Sequence, residues 1–231
     1  MEASTGVKMI FPVKRKPVVS REEFIAYWFA HHMPVTIDAM GDRGWGYIGT
    51  VFDPAEEDQQ WDGIAQMFLD ESLPNPPAGF GAKPVDSFHE RAVQPYYGWA
   101  TREIVVISGS DELPVRPLTL NAPFPTSRSG FFKVVTFVPM VQSADNEALQ
   151  SDWLNRRAGR IAHAMQQVNG FRYVVSLGVE LEVGAYLGME ELYFHNQASW
   201  HRFQEIAPAD GVASDGVQQY FAATEFIAIP V

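Results

Sequence analysis

Hydrophobic and polar positions along this chain follow one order of elements and then follow it again. Residues 7–13, VKMIFPV, are a short apolar run that predicts a strand. Ser20-Arg21-Glu22-Glu23 is a capping box, because a hydroxyl and a carboxylate three residues apart can satisfy the free amides of a helix start. In the helix that follows, Phe24, Trp28, His31 or His32, and Val35 fall on one stripe at i, i+3/i+4 spacing. Pro34 has no backbone N–H to donate, which predicts a kink or a weakened turn near His32. Two strands are expected near 46–52 and 63–69, separated by the polar loop 53–58. A Pro/Gly-rich stretch, 72–84, leads into a predicted helix around 85–94, and Glu103–Ile107 reads as a closing β-branched strand. The order is βαββαβ, a ferredoxin-like half.

Residues 109–130 carry Pro114, Pro117, Pro123 and Pro125 without clear periodicity and read as a linker. Beyond them the order recurs, with a strand near 131–138, a helix near 146–167 and strands near 171–177 and 189–194. A short helix near 199–206 and a last strand at 225–229 complete it. Lys8, Trp28 and Gly63 answer to Lys133, Trp153 and Gly188 at a constant offset of 125 residues (133 − 8, 153 − 28, 188 − 63). The closing strands match through Glu103 and Glu225, with the offset slipped to 122. The copies part where the Trp-bearing helix continues: Trp28-Phe29-Ala30-His31-His32-Met33-Pro34 against Trp153-Leu154-Asn155-Arg156-Arg157-Ala158-Gly159. The expected organisation is therefore α+β: a repeat over 1–108 with the working site, a linker over 109–130, and a second repeat over 131–231 with a degenerate site. A lone βαββαβ unit leaves one sheet face uncovered. Two tandem ferredoxin-like repeats can cover it by pairing, forming an intramolecular dimeric α+β barrel, a pseudo-dimer within one chain.

Composition narrows the function. The 231 residues are 46% hydrophobic and 13% aromatic, ample for packed cores. Net charge is −11, which disfavours nucleic acid and anionic membranes as partners. There is no cysteine, so disulfides, thiol nucleophiles and zinc–thiolate sites are excluded. No apolar run reaches the roughly 20 residues of a membrane span, and residues 1–6 lack the pattern of a signal peptide. A cytoplasmic protein is expected.

Phe24-x-x-x-Trp28-x-x-x-His32-x-Pro34, Trp61-Asp62-Gly63-Ile64-Ala65 and Glu103 together resemble the EthD-like branch of the dimeric α+β barrel proteins. The resemblance covers most of residues 7–107 and is weaker over 131–229, where the His-x-Pro element is missing. It implies a ferredoxin-like fold whose sheets associate, usually between two chains, and the family's habit of oligomerising leaves room for a homodimer. Proteins of this kind act without cofactor or metal as cyclases, dehydratases, decarboxylases, isomerases, lyases or monooxygenases. Of its residues, His32 matches the family's helical histidine.

A histidine can take and return protons near neutral pH, which makes His32 the candidate acid or base. Its plainer role would be to satisfy the carbonyl freed by Pro34. His31 points about 100° away around a helix and reads as structural or supporting. Trp28 could stack on a planar substrate, but the Trp retained at 153 speaks equally for a core residue. Tyr47 could polarise a carbonyl, although alternation along its strand leaves its facing open. His89 and Tyr96, on or after the second helix, are candidate substrate-binding residues. Asp62, before Gly63, reads as a turn residue, and Arg156 and Arg157 as ion-pair formers. Two adjacent histidines make a poor chelate, and Gly41-Asp42-Arg43-Gly44-Trp45-Gly46 has the wrong spacing for a phosphate loop. No metal or nucleotide cofactor is expected. The leading expectation is a cofactor-independent lyase, cyclase or isomerase acting on an aromatic or polyketide-like carbonyl or phenol. A cofactor-free monooxygenase and a non-catalytic small-molecule-binding protein are the rivals.

Overall fold

The computed structural model describes residues 1–55, 59–70, 86–93, 98–113, 125–141, 144–179, 186–207 and 217–228. The chain divides into two compact units. One, here the His32 unit, comprises Thr5–Ala100, Val115–Ser129 and Thr224–Val231; the other, the Arg157 unit, comprises Met1–Ser4, Thr101–Pro114 and Gly130–Ala223. Each unit takes its closing strand from the other half of the chain.

In the His32 unit, β2 (Val7–Val13), β4 (Gly63–Leu69) and β3 (Gly44–Val51) run antiparallel in that spatial order. The end of β9 (Gln218–Ala228) lies beside β3, pairing Thr50 with Glu225. The Ser20 half of the expected capping box forms, its hydroxyl accepting from the Glu23 amide at 3.1 Å to start α1 (Arg21–Tyr27), while the Glu23 carboxylate pairs with Arg91. A five-residue π segment, Trp28–His32, follows, then α2 (Met33–Met40). Phe24, Trp28, Met33, Ile37 and Met40 face Met9, Phe11, Val13, Tyr47 and Met67 across the sheet and close the core.

In the Arg157 unit, β1 (Glu2–Ala3), β5 (Trp99–Ile107, from Thr101), β7 (Gly170–Gly178), β8 (Tyr186–Phe194) and β6 (Thr126–Pro139) follow one another, all antiparallel. Asp145 caps α3 (Asn146–Asp152); a π segment, Trp153–Arg157, leads into α4 (Ala158–Gln167). The short α5 (Gln197–Ile206) supplies Trp200 and Phe203 to this core. Lys133 is fully buried and holds Glu191 at 2.7 Å.

Several local expectations change. The predicted kink at Pro34 is a π segment ending just before it, but the same segment occurs at Trp153–Arg157, where Gly159 stands in place of proline. Missing proline N–H is therefore not its common cause. What the two segments share is the Trp at their start, packed on a glycine of the sheet. In place of a helix around 85–94 there is one 3-10 turn, Ser87–Glu90, because Ala92 already pairs with Arg15 as an isolated bridge. Residues 72–85 and 94, and part of the 53–58 loop, lie outside the described residues. The second half's opening strand starts at Thr126, inside the expected linker, so the linker's end is a strand. Among the described residues no helix is long and apolar enough to cross a membrane.

The glycine contact is tight in both units. A Cβ at Gly63 would lie 2.5 Å from the Thr50 carbonyl oxygen and 3.0 Å from the Trp28 ring; at Gly188 it would lie 2.7 Å from the Ser176 carbonyl oxygen and 3.0 Å from the Trp153 ring. Gly63→Ala and Gly188→Ala should each destabilise the fold by about 1–3 kcal/mol, the usual cost of overpacking, read as a lower midpoint in chemical denaturation. Midpoints within error of the parent would show that the indole and the strand are not held together at these points.

Candidate active site

His32 is the last residue of its π segment and is buried. Its ring lies flat on Phe88, centroids 4.0 Å apart at 12°. Its Nδ1 is 3.0 Å from Asp86 Oδ2, and its Nε2 is 3.4 Å from the Thr36 hydroxyl one helical turn on. Asp86 also caps the 3-10 turn, its Oδ1 accepting from the Phe88 amide at 2.9 Å. Burial alone would raise the Asp86 carboxyl. The hydrogen bond and charge of His32, the Phe88 amide and His89 outweigh it and hold the carboxyl below its ordinary value. An ionised Asp86 can only accept, so His32 donates Nδ1–H to it, and in the neutral imidazole Nε2 is then the acceptor that faces the Thr36 hydroxyl. This is the orientation in which a carboxylate fixes the tautomer of a working imidazole.

Nε2 and Thr36 border a recess lined also by Phe11, Val13, Tyr47, Ala65, Met67 and Phe88. The recess measures about 320 Å³ with its open mouth included, and its enclosed part has room for about one water-sized group. The walls are apolar except for His32, Thr36 and the Tyr47 hydroxyl.

The sequence-selected residues fall as follows. Tyr47, whose facing the alternation left open, points to the helix side of the sheet, is buried, and accepts a hydrogen bond from Trp28 Nε1 at 2.8 Å. Trp28 is fully buried in the core against Phe24, Phe88, Gly49 and Gly63, and does not line the recess. His31 is exposed and packs on Tyr27 with centroids 5.1 Å apart. His89 sits half-buried in the Asp86 turn and donates Nδ1–H to the Asp86 carbonyl at 3.0 Å. Tyr96 lies outside the described residues. Asp62 accepts from the Arg15 amide at 2.9 Å and faces Lys14 and Arg15, as a turn residue does. Arg156 is an exposed partner of Asp152. Sequence reasoning missed Asp86, Thr36 and Phe88. The i, i+4 spacing of His32 and Thr36 was there to be read; the 54-residue gap from His32 to Asp86 carries no pattern.

At the corresponding place in the Arg157 unit stands a hydrogen-bonded ion pair. Trp153 matches Trp28, Arg157 matches His32 and Glu190 matches Ala65, all 125 residues on. Tyr173 matches Tyr47 at 126, after an added residue near Asn169, which sits at φ 57°. Glu190 accepts from Trp153 Nε1 at 2.7 Å, from the Tyr173 hydroxyl at 2.8 Å and from Arg157 at 3.1 Å through each oxygen. Burial pushes the Tyr173 hydroxyl well above its ordinary range, and Glu190 pushes it further. Burial opposes the charge on Arg157, but Glu190 more than offsets it and raises the guanidinium. Arg157, expected to make a surface or interdomain pair, is thus half-buried and paired with the buried Glu190 within its own unit.

No family model matches the chain, and no curated protein matches it. Among solved structures it resembles a Fusobacterium nucleatum protein provisionally described as a monooxygenase, with a TM-score of 0.53 and 8% identity over 98% of this chain and 95% of that one. It also resembles a chlorite dismutase variant from Candidatus Nitrospira defluvii (TM-score 0.49, 7% identity, 95% and 92%). A third is a Rhodococcus jostii DypB variant in complex with heme (0.49, 10% identity, 98% and 94%). At 8% identity the Fusobacterium likeness shows the fold alone, an α+β arrangement of antiparallel strands and helices. A heme does not fit the recess beside His32, whose enclosed part takes a group far smaller than a porphyrin. Among the described residues no three histidine or acidic side chains converge as a metal site would require.

Asp86 links the site to pH. Its folded carboxyl titrates below the ordinary 3.8, so its contribution to stability is complete above that pH and is lost as pH falls through the lower folded value. Asp86→Asn should therefore be less stable than the parent at pH 6, with the gap narrowing below about pH 3.8. Urea titrations across pH 2–7 check this; a gap independent of pH would contradict it.

Proposed function

We propose that the chain is a tandemly duplicated, EthD-like protein and an enzyme in which His32 moves a proton. The observation that carries the reading is the His32 imidazole held by Asp86 at Nδ1, with Thr36 at Nε2, in the lining of an apolar recess. Duplication is supported by two π segments opened by tryptophan, two matched glycine contacts and the 125-residue offset.

In the proposed step, Nε2 takes a proton from a C–H or O–H next to a carbonyl or aromatic ring. The electron pair stays on the substrate, delocalised into that group, while the new charge on the imidazole is met by Asp86. Tyr47, in the lining of the same recess, is the residue proposed to meet the developing oxyanion. A single positioned base contributes about 10²–10⁴-fold, enough for an activated substrate. Cofactor-independent cyclisation, dehydration, decarboxylation or C–C cleavage of an aromatic or polyketide-like compound is the class this supports. The absence of cysteine favours a cytoplasmic setting.

A second reading is a monooxygenase, in which the same carbanion reduces oxygen. The Fusobacterium description favours it, and oxygen uptake coupled to substrate loss separates the two.

Deuterium wash-in from heavy water into enolisable aryl ketones, followed by NMR, tests proton abstraction before the natural substrate is known. The parent should exchange faster than buffer, with a loss of about 10²–10⁴-fold in His32→Gln and a smaller loss in Asp86→Asn. Exchange unaffected by His32→Gln in a folded variant would leave the chain a binding protein.

A further inference from the structure

The Arg157 unit carries, in its own side chains, the kind of ligand the His32 site is shaped to take. Glu190 puts a carboxylate between Trp153, Tyr173 and Arg157. At the matched positions the His32 unit keeps the aromatic pair, with Trp28 bonded to Tyr47. It replaces the cation with an imidazole and shortens the carboxylate-bearing residue to Ala65. Ala65 lines the recess together with His32 and Tyr47. The strand registers agree: Tyr47 pairs with Met67 and Val51 with Gly63, as Tyr173 pairs with Leu192 and Leu177 with Gly188. Of the groups that hold the Glu190 carboxylate, the His32 unit keeps the tyrosine at the recess, with the indole N–H bonded to the Tyr47 oxygen, an imidazole where the guanidinium stands, and Ala65 where the carboxylate-bearing side chain stands.

We propose that the His32 recess binds a weakly acidic hydroxyl compound, a phenol or an enol, as its oxyanion, with the oxygen at the place the Glu190 carboxylate takes in the other unit. This rests on the acid–base role proposed for His32 and names the substrate class. The ligand enters neutral; its O–H bond breaks, the proton goes to His32 Nε2, and the electron pair remains on oxygen. Asp86 balances the imidazolium from the Nδ1 side, while the bound oxyanion stands to His32 as Glu190 stands to Arg157. The enclosed part of the recess fits one oxygen, so the carbon skeleton lies in the mouth against Phe88 and Met67. A preformed carboxylate is a poorer ligand, because it brings a second negative charge toward Asp86 with no proton for His32.

The probe is 4-nitrophenol, whose phenolate absorbs at longer wavelength than the phenol. At a pH where the free probe is mainly neutral, the parent should bind it with the phenolate spectrum, and more tightly than 4-nitrobenzoate. Tyr47→Phe should weaken binding by about 10–100-fold, the scale of one hydrogen bond to a charged group. Ala65→Glu, which rebuilds the other unit's carboxylate, should abolish it. Ala65→Met fills the same space without charge and should do likewise if Ala65→Glu does not fold, as circular dichroism will show. A bound probe with the neutral spectrum, no binding at millimolar probe, or parental affinity in folded Ala65→Met would overturn the proposal. Phenolate binding without His32-dependent deuterium exchange would sink the enzyme reading and leave the oxyanion site standing. Exchange without phenolate binding would do the reverse.

Discussion

Each unit is organised around an indole laid on a bare strand. Trp28 can approach β4 only because Gly63 has no side chain, and Trp153 stands in the same relation to Gly188. An added methyl would lie 3.0 Å from the indole in either unit and 2.5 or 2.7 Å from a carbonyl of the neighbouring strand, so a side chain there would press on both the helix and the sheet. Both tryptophans open a five-residue π segment, and such a wider turn, bonded i→i+5, shifts the side chains that follow around the helix axis. Residue 32 or 157 ends that segment and is carried over the sheet, to the same place in either unit. Packing fixes the position, and the residue standing there decides the chemistry.

The two units then use one place differently. Arg157 and Glu190 form a two-point ion pair inside a ring of aromatic donors, with every strong acceptor occupied. Such a closed network holds its geometry but leaves nothing for a ligand. His32 and Ala65 provide less bulk and a group that can change its charge. Asp86, from a turn 54 residues on, supplies the fixed negative charge that an imidazolium needs. Phe88 beside it covers the ring face and keeps water from that side.

Much of the scaffold could be seen in the sequence, and the reason is local. The capping box at Ser20, the apolar strand at 7–13 and the Trp-bearing stripe each depend on residues a few positions apart, where propensity and spacing dominate. His32 stood out because its counterpart is arginine. Its partner did not, because Asp86 follows a Pro/Gly-rich stretch where helix signals mislead: the turn there is capped by Asp86 and ended by a strand bridge at Ala92. The facing of Tyr47 was undecidable from a strand with three glycines, Gly44, Gly46 and Gly49, and became clear only from its bond to Trp28. The buried pairing of Arg157 with Glu190 is likewise tertiary, since a basic residue late in a helix ordinarily faces water.

Asp86 holds neutral His32 in the Nδ1–H form, which leaves Nε2 as the acceptor beside Thr36. Long-range ¹H–¹⁵N correlation spectra of the histidine side chains, assigned with a His32→Gln variant, report this tautomer directly. The account predicts an Nδ1–H signal for neutral His32 that is lost or mixed with the Nε2–H form in Asp86→Asn. An Nε2–H tautomer in the parent, or one unchanged by Asp86→Asn, would contradict it.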